Sequence, residues 1–134
     1  MPYAVGIGLA LAVCLFATRL GFDRDRAFYP TVTIVIASYY ALFAVLGEST
    51  RALGIESAVI VLFLIVSVLG FHLNLWFVVG ALLGHGLLDF FHARLIANPG
   101  VPVWWPPFCL AYDATAGGYL AVLLSRSTVA ARKR

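Results

Sequence analysis

The sequence predicts an all-α polytopic membrane protein, a single domain over residues 1–134 folded as a bundle of about five transmembrane helices. Composition is the first sign: 63% of the residues are hydrophobic and 11% charged, with a mean hydropathy of +0.99. A soluble domain carries about 25% charged residues. In water so apolar a surface would aggregate, whereas in a bilayer it simply faces lipid. The second sign is a set of five apolar runs, each of about 17 to 22 residues and so long enough to cross a hydrocarbon core of about 30 Å. The third is the placement of the basic residues, which gather at alternate connections in the manner of charges held at a cytoplasmic membrane face.

Taken in order, the first helix covers about residues 3–20. Met1 to Ala10 has no positively charged stretch and no A-x-A site precedes Arg19, so this helix is expected to be retained rather than cleaved as a signal peptide. The charged turn Gly21-Phe-Asp-Arg-Asp-Arg26 ends it. The second helix, about 30–46, opens on Pro30, whose fixed φ and missing N–H suit a first turn. A short polar connection around Gly47 to Gly54 leads into the third, about 50–69. The segment Gly70-Phe-His-Leu-Asn74 turns the chain into the fourth, about 75–96. Asn98 to Pro107, with Pro99, Pro102, Pro106 and Pro107, is expected to be non-helical, with Trp104 and Trp105 in the aromatic belt of the interface. The fifth helix covers about 108–124, and a basic tail follows.

With five spans, the first turn, the third turn and the C-terminus share a side. That side holds Arg19, Arg24, Arg26, Arg126, Arg132, Lys133 and Arg134, seven of the nine basic residues. The positive-inside rule then places the N-terminus outside and the C-terminus in the cytoplasm of a cell inner membrane. Arg24 and Arg26 are read as membrane-interface residues able to meet anionic headgroups. A net charge of +3 does not indicate nucleic acid, because the basic residues form no patch with interleaved aromatics. Cys14 and Cys109 lie in apolar stretches and read as small buried hydrophobes rather than a disulfide or metal pair.

Ionisable residues within a span cost about 2.5–3.5 kcal/mol each on insertion scales, so they demand a reason. Helix four carries the densest set, Gly84-His-Gly-Leu-Leu-Asp-Phe-Phe-His92. At about 100° per residue His85, Asp89 and His92 share a stripe roughly 60° wide, which lipid will not cover. Counting about 1.5 Å per residue from the outer boundary puts Asp89 roughly 7 Å deep, His85 roughly 13 Å and Asp113 of helix five roughly 9 Å. Glu56 of helix three reaches the same layer. His85, Asp89, His92 and Asp113, with Glu56 as a further member, therefore form the candidate site.

Imidazoles and carboxylates suit a divalent transition metal such as zinc or iron. Asp89-Phe-Phe-His92 also has the i, i+3 spacing of the carboxylate-x-x-His unit of helical di-metal proteins. On this first reading the protein binds a metal, with scope for metal-assisted chemistry on a lipophilic substrate, and no catalytic residue is assigned. A second reading makes the polar layer a set of packing hydrogen bonds in an accessory or structural subunit of a larger membrane complex. A third makes it the coupling site of a small proton- or ion-driven transporter, as a homo-oligomer.

Gly80-x-x-x-Gly84, together with Gly117 and Gly118 on helix five, is expected to allow close helix approach. Tyr39 and Tyr40 read as membrane-buried aromatics, with a hydroxyl to lend to the polar layer. The run from His85 to His92, followed by Pro102-Val-Trp-Trp-Pro-Pro107 and Asp113, resembles a family of small uncharacterised bacterial membrane proteins with a His-Gly-x-x-Asp-x-x-His helix. The likeness covers the last third of the chain. It implies a bacterial inner-membrane location and interest in His85, Asp89, His92 and Asp113, and it names no reaction.

Overall fold

The structure, a computed structural model, describes residues 1–126, so Arg132, Lys133 and Arg134 lie outside the described residues. Those described form five α-helices: α1 (Pro2–Leu20), α2 (Phe28–Leu46), α3 (Thr50–His72), α4 (Trp76–Leu95) and α5 (Trp105–Ser125), with a 3-10 turn at Phe22–Arg24. Each is 19–23 residues long and apolar enough to cross a membrane. At about 1.5 Å per residue that is roughly 28–35 Å, a bilayer core's thickness.

Local chemistry sets the boundaries. Gly21, at φ 84°, closes α1 in the left-handed region where a side chain would be strained, and its N–H reaches Ala17 O at 2.8 Å. The Ser49 hydroxyl caps α3 by accepting from Ala52 N at 3.2 Å, so α3 starts where expected. It runs on to His72, however, and the turn into α4 is shorter than predicted. Asn74 is exposed in that turn and accepts from Trp76 N at 3.0 Å. A departure of the same size, three residues, is at the start of α5. Pro106 and Pro107 do not exclude the helix but stand in its first turn, where a missing N–H leaves no bond unmade.

α1 packs on α5, α5 on α4, α4 on α3 and α3 on α2, and α2 also meets α4. Accordingly 44% of the apolar window of α4 and of α5 is buried, against 22% for α1 and α3. The central helices thus carry the interior, and side chains such as Phe16, Leu62 and Leu87 point outward. Two contacts fix the up-and-down order. Arg26 donates from Nε to Phe71 O at 3.0 Å and from its guanidinium NH2 to Gly70 O at 3.2 Å, binding end carbonyls of α3 and joining the first and third connections. At the opposite end Gly100 lies on the backbone of Phe43 and Gly47, so close that a Cβ there would collide with the Phe43 carbonyl.

The glycines are used differently from the expectation. Gly80, Gly84 and Gly118 face open space, with nothing to meet an added Cβ. Gly117 does pack, against Leu82 and Leu83, and Gly86 brings α4 to Asp113 and Leu110. The side of α4 turned to α5 is the side that carries the polar residues, so the close approach is made there.

Candidate metal centre

Every ionisable residue expected in the polar layer is buried. His85, Asp89, His92, Asp113 and Glu56 are each 2% exposed or less. They nevertheless divide into two groups, and a cysteine joins one of them.

The first group lies between α4 and α5. His85 Nδ1 is 2.7 Å from Asp113 Oδ2 and 3.4 Å from Asp89 Oδ2. The Cys109 thiol lies 3.8 Å from the same Asp113 oxygen. One donor atom from each of His85, Asp89, Cys109 and Asp113 falls within 4.8 Å of all the others, close enough for one ion to be held by the four. Two i, i+4 pairs on facing helices build this group, His85 with Asp89 and Cys109 with Asp113. One full turn of helix places the members of each pair one above the other.

The second group lies nearer the 96–104 connection. His92 Nε2 is 2.8 Å from Glu56 Oε1, and the Asn98 side chain donates to the same oxygen at 2.9 Å and to Tyr40 O at 3.0 Å. His92 is thereby committed to Glu56 and lies outside the four-residue cluster. Tyr40 joins the two groups. Its hydroxyl donates to Asp89 Oδ1 at 2.5 Å, while its ring stacks on His92 with centroids 4.1 Å apart.

The donor set fits a cation. Asp89 Oδ2 and Asp113 Oδ1 are buried without a hydrogen-bond partner among the described residues. With both aspartates ionised and His85 protonated, the cluster still carries one uncompensated negative charge, and no arginine reaches it: none of the ion pairs among the described residues includes one. Leaving such a charge in a low-dielectric interior is costly unless a cation or a further proton shares the carboxylates. Ligands about 2.0–2.3 Å from a tetrahedral zinc stand roughly 3.3–3.8 Å apart, within the spread seen here. Imidazole, thiolate and carboxylate are all zinc and iron ligands.

Sequence reasoning set Cys109 aside as a small buried hydrophobe because it lies in an apolar stretch. The usable signal was the spacing, since Cys109-x-x-x-Asp113 repeats that of His85-x-x-x-Asp89. Asn98 gave no such signal, because its role comes from a connection that folds back over the bundle. Trp104 is exposed as an interfacial anchor would be, whereas Trp105 packs among Tyr39, Phe43 and Phe108. Arg24 is exposed, and Arg26 is spent on capping α3. The chain matches no protein-family model, no curated protein and no solved structure.

Proposed function

We propose that this is a multi-pass protein of the bacterial inner membrane that binds one divalent transition ion, zinc or iron, through His85, Asp89, Cys109 and Asp113. The observation that carries the reading is the pair of buried carboxylate oxygens that accept no hydrogen bond, Asp89 Oδ2 and Asp113 Oδ1, within a cluster of four residues able to ligate one ion. A metal bound there would supply a Lewis acid inside the bilayer. Tyr40 holds Asp89 in place through its hydroxyl, the kind of outer support that metal ligands commonly have. Glu56, His92 and Asn98 form a polar plug between that cluster and the outer connection. The bias of the basic residues supports an N-terminus outside and a C-terminus in the cytoplasm.

The same carboxylate oxygens are where a proton would sit, so a proton site is the competing reading, and metal analysis separates the two. Detergent-purified protein should carry a stoichiometric transition metal. His92→Ala should keep it, because His92 serves Glu56 and not the cluster. Wild-type protein that is metal-free after purification and takes up neither zinc nor ferrous iron overturns the proposal.

A further inference from the structure

A cleft of about 820 Å³ opens between α2 and α5, with Leu9 of α1 along one side. Gly21, Phe22 and Asp25 border one end, and Tyr39 and Trp105 close the other with their rings 5.0 Å apart. Phe28, Val32, Ile36 and Phe108 make its walls apolar. The volume is that of a site for one small ligand, about 300–1,000 Å³. From Ala27 to Tyr39 helix α2 rises about 18 Å. That is little more than one leaflet of a hydrocarbon core about 30 Å thick. A crevice of this kind, between membrane-spanning helices and starting at one interface, has the depth of a single acyl chain.

Its end at the first connection carries both signs: Asp25 borders it with Oδ1 accepting from Ala27 N at 2.9 Å, and Arg24 stands beside it. The Arg24 guanidinium lies over Gly21, a rim residue, with Cζ 3.7 Å from the position a Cβ would take there. None of the ion pairs among the described residues involves Arg24. An exposed, unpaired arginine at the head of an acyl-deep groove complements an anionic headgroup.

We infer that the cleft binds one anionic membrane lipid, its headgroup at Arg24 and its acyl chain running along α2 to end beneath Tyr39 and Trp105. The inference rests on the chain crossing a bilayer and not on the metal. Cys109 nonetheless lines the cleft wall as well as the four-residue cluster, so the chain passes directly beside that cluster.

The test uses the full chain with Trp76→Phe and Trp104→Phe, which leaves Trp105 as its single tryptophan, in phosphatidylcholine vesicles. Phosphatidylglycerol brominated near the end of its acyl chains is titrated in and Trp105 fluorescence is read. The expected result is saturable quenching, stronger than that given by phosphatidylcholine brominated at the same carbons. Val32→Phe with Ile36→Phe, which fills the cleft, should remove the saturable part. Arg24→Gln, a surface change that does not threaten folding, should abolish the preference for phosphatidylglycerol while terminal bromines still quench. Quenching that follows the brominated fraction linearly, indifferent to headgroup and to Arg24→Gln, means ordinary boundary lipid and overturns the inference. Trp105 shielded from all brominated lipid in a chain of dimeric native mass assigns the cleft to a second copy and also overturns it. Protein that takes up neither zinc nor ferrous iron yet shows saturable, headgroup-dependent quenching supports the lipid site and overturns the metal reading alone.

Discussion

His85→Ala should lower metal affinity by more than about 100-fold, beyond the roughly 10–100-fold that loss of an outer-shell partner costs. The imidazole is the hub of the cluster, since its Nδ1 lies within 3.4 Å of both aspartates, and no other nitrogen ligand belongs to the four. Without it Asp89 and Asp113 face each other across a buried space with no positive partner, so the apo protein should also be less stable. Tyr40→Phe removes one hydroxyl that touches Asp89 from outside, and its effect should stay within that 10–100-fold range. Titration of the two variants with a competing chromophoric chelator measures both. Equal, small effects would mean that His85 is not a ligand.

The second large effect is on folding. Glu56→Ala should destabilise the bundle by about 2 kcal/mol, because it strips the partner from buried His92 and one of two bonds from half-buried Asn98. Glu56 Oε1 accepts from Asn98 and pairs with His92, so its loss frees α3 from both α4 and the 96–104 connection. Single interhelical hydrogen bonds in membranes average only about 0.6 kcal/mol, which would limit the loss to about 1 kcal/mol if the bonds alone counted. The sealed His92 nitrogen, left without its partner, brings the larger figure. Glu56→Gln keeps an oxygen at the same place and should recover most of the stability. Reversible unfolding of the three proteins in mixed micelles gives the comparison, and an unchanged Glu56→Ala midpoint would contradict the account.

Much of this was legible in the sequence because a bilayer simplifies the problem. Backbone groups in lipid must be satisfied within a helix, so an apolar run of the right length has one available structure. Five such runs predicted five helices, and the ends moved by only a few residues. The end of α3 and the start of α5 moved most, three residues each, the latter because prolines were read as breakers although a first turn tolerates them. The polar face of α4 was equally legible, since a helix repeats every 3.6 residues and His85, Asp89 and His92 share a side. What could not be read was how neighbouring helices divide that face. A stripe of three polar residues rises about 10 Å along α4, and which helix meets each level depends on tilt and register. Thus His92 met Glu56, while His85 and Asp89 met Asp113 and brought in Cys109. The choice of contact glycines on α4 depends on the same thing. Gly80 and Gly84 have the spacing of a packing motif but stand on the side away from α5, and Gly86 makes the contact.

A thiolate is the least expected of the four proposed ligands, and cobalt reports on it directly. Protein loaded with Co²⁺ should show a near-ultraviolet sulfur-to-cobalt charge-transfer band together with the visible bands of a tetrahedral ion. Cys109→Ser should erase the charge-transfer band, and Cys14→Ser should leave it intact. Cobalt that binds with no sulfur band, or a band that survives in Cys109→Ser, would contradict a centre built from His85, Asp89, Cys109 and Asp113.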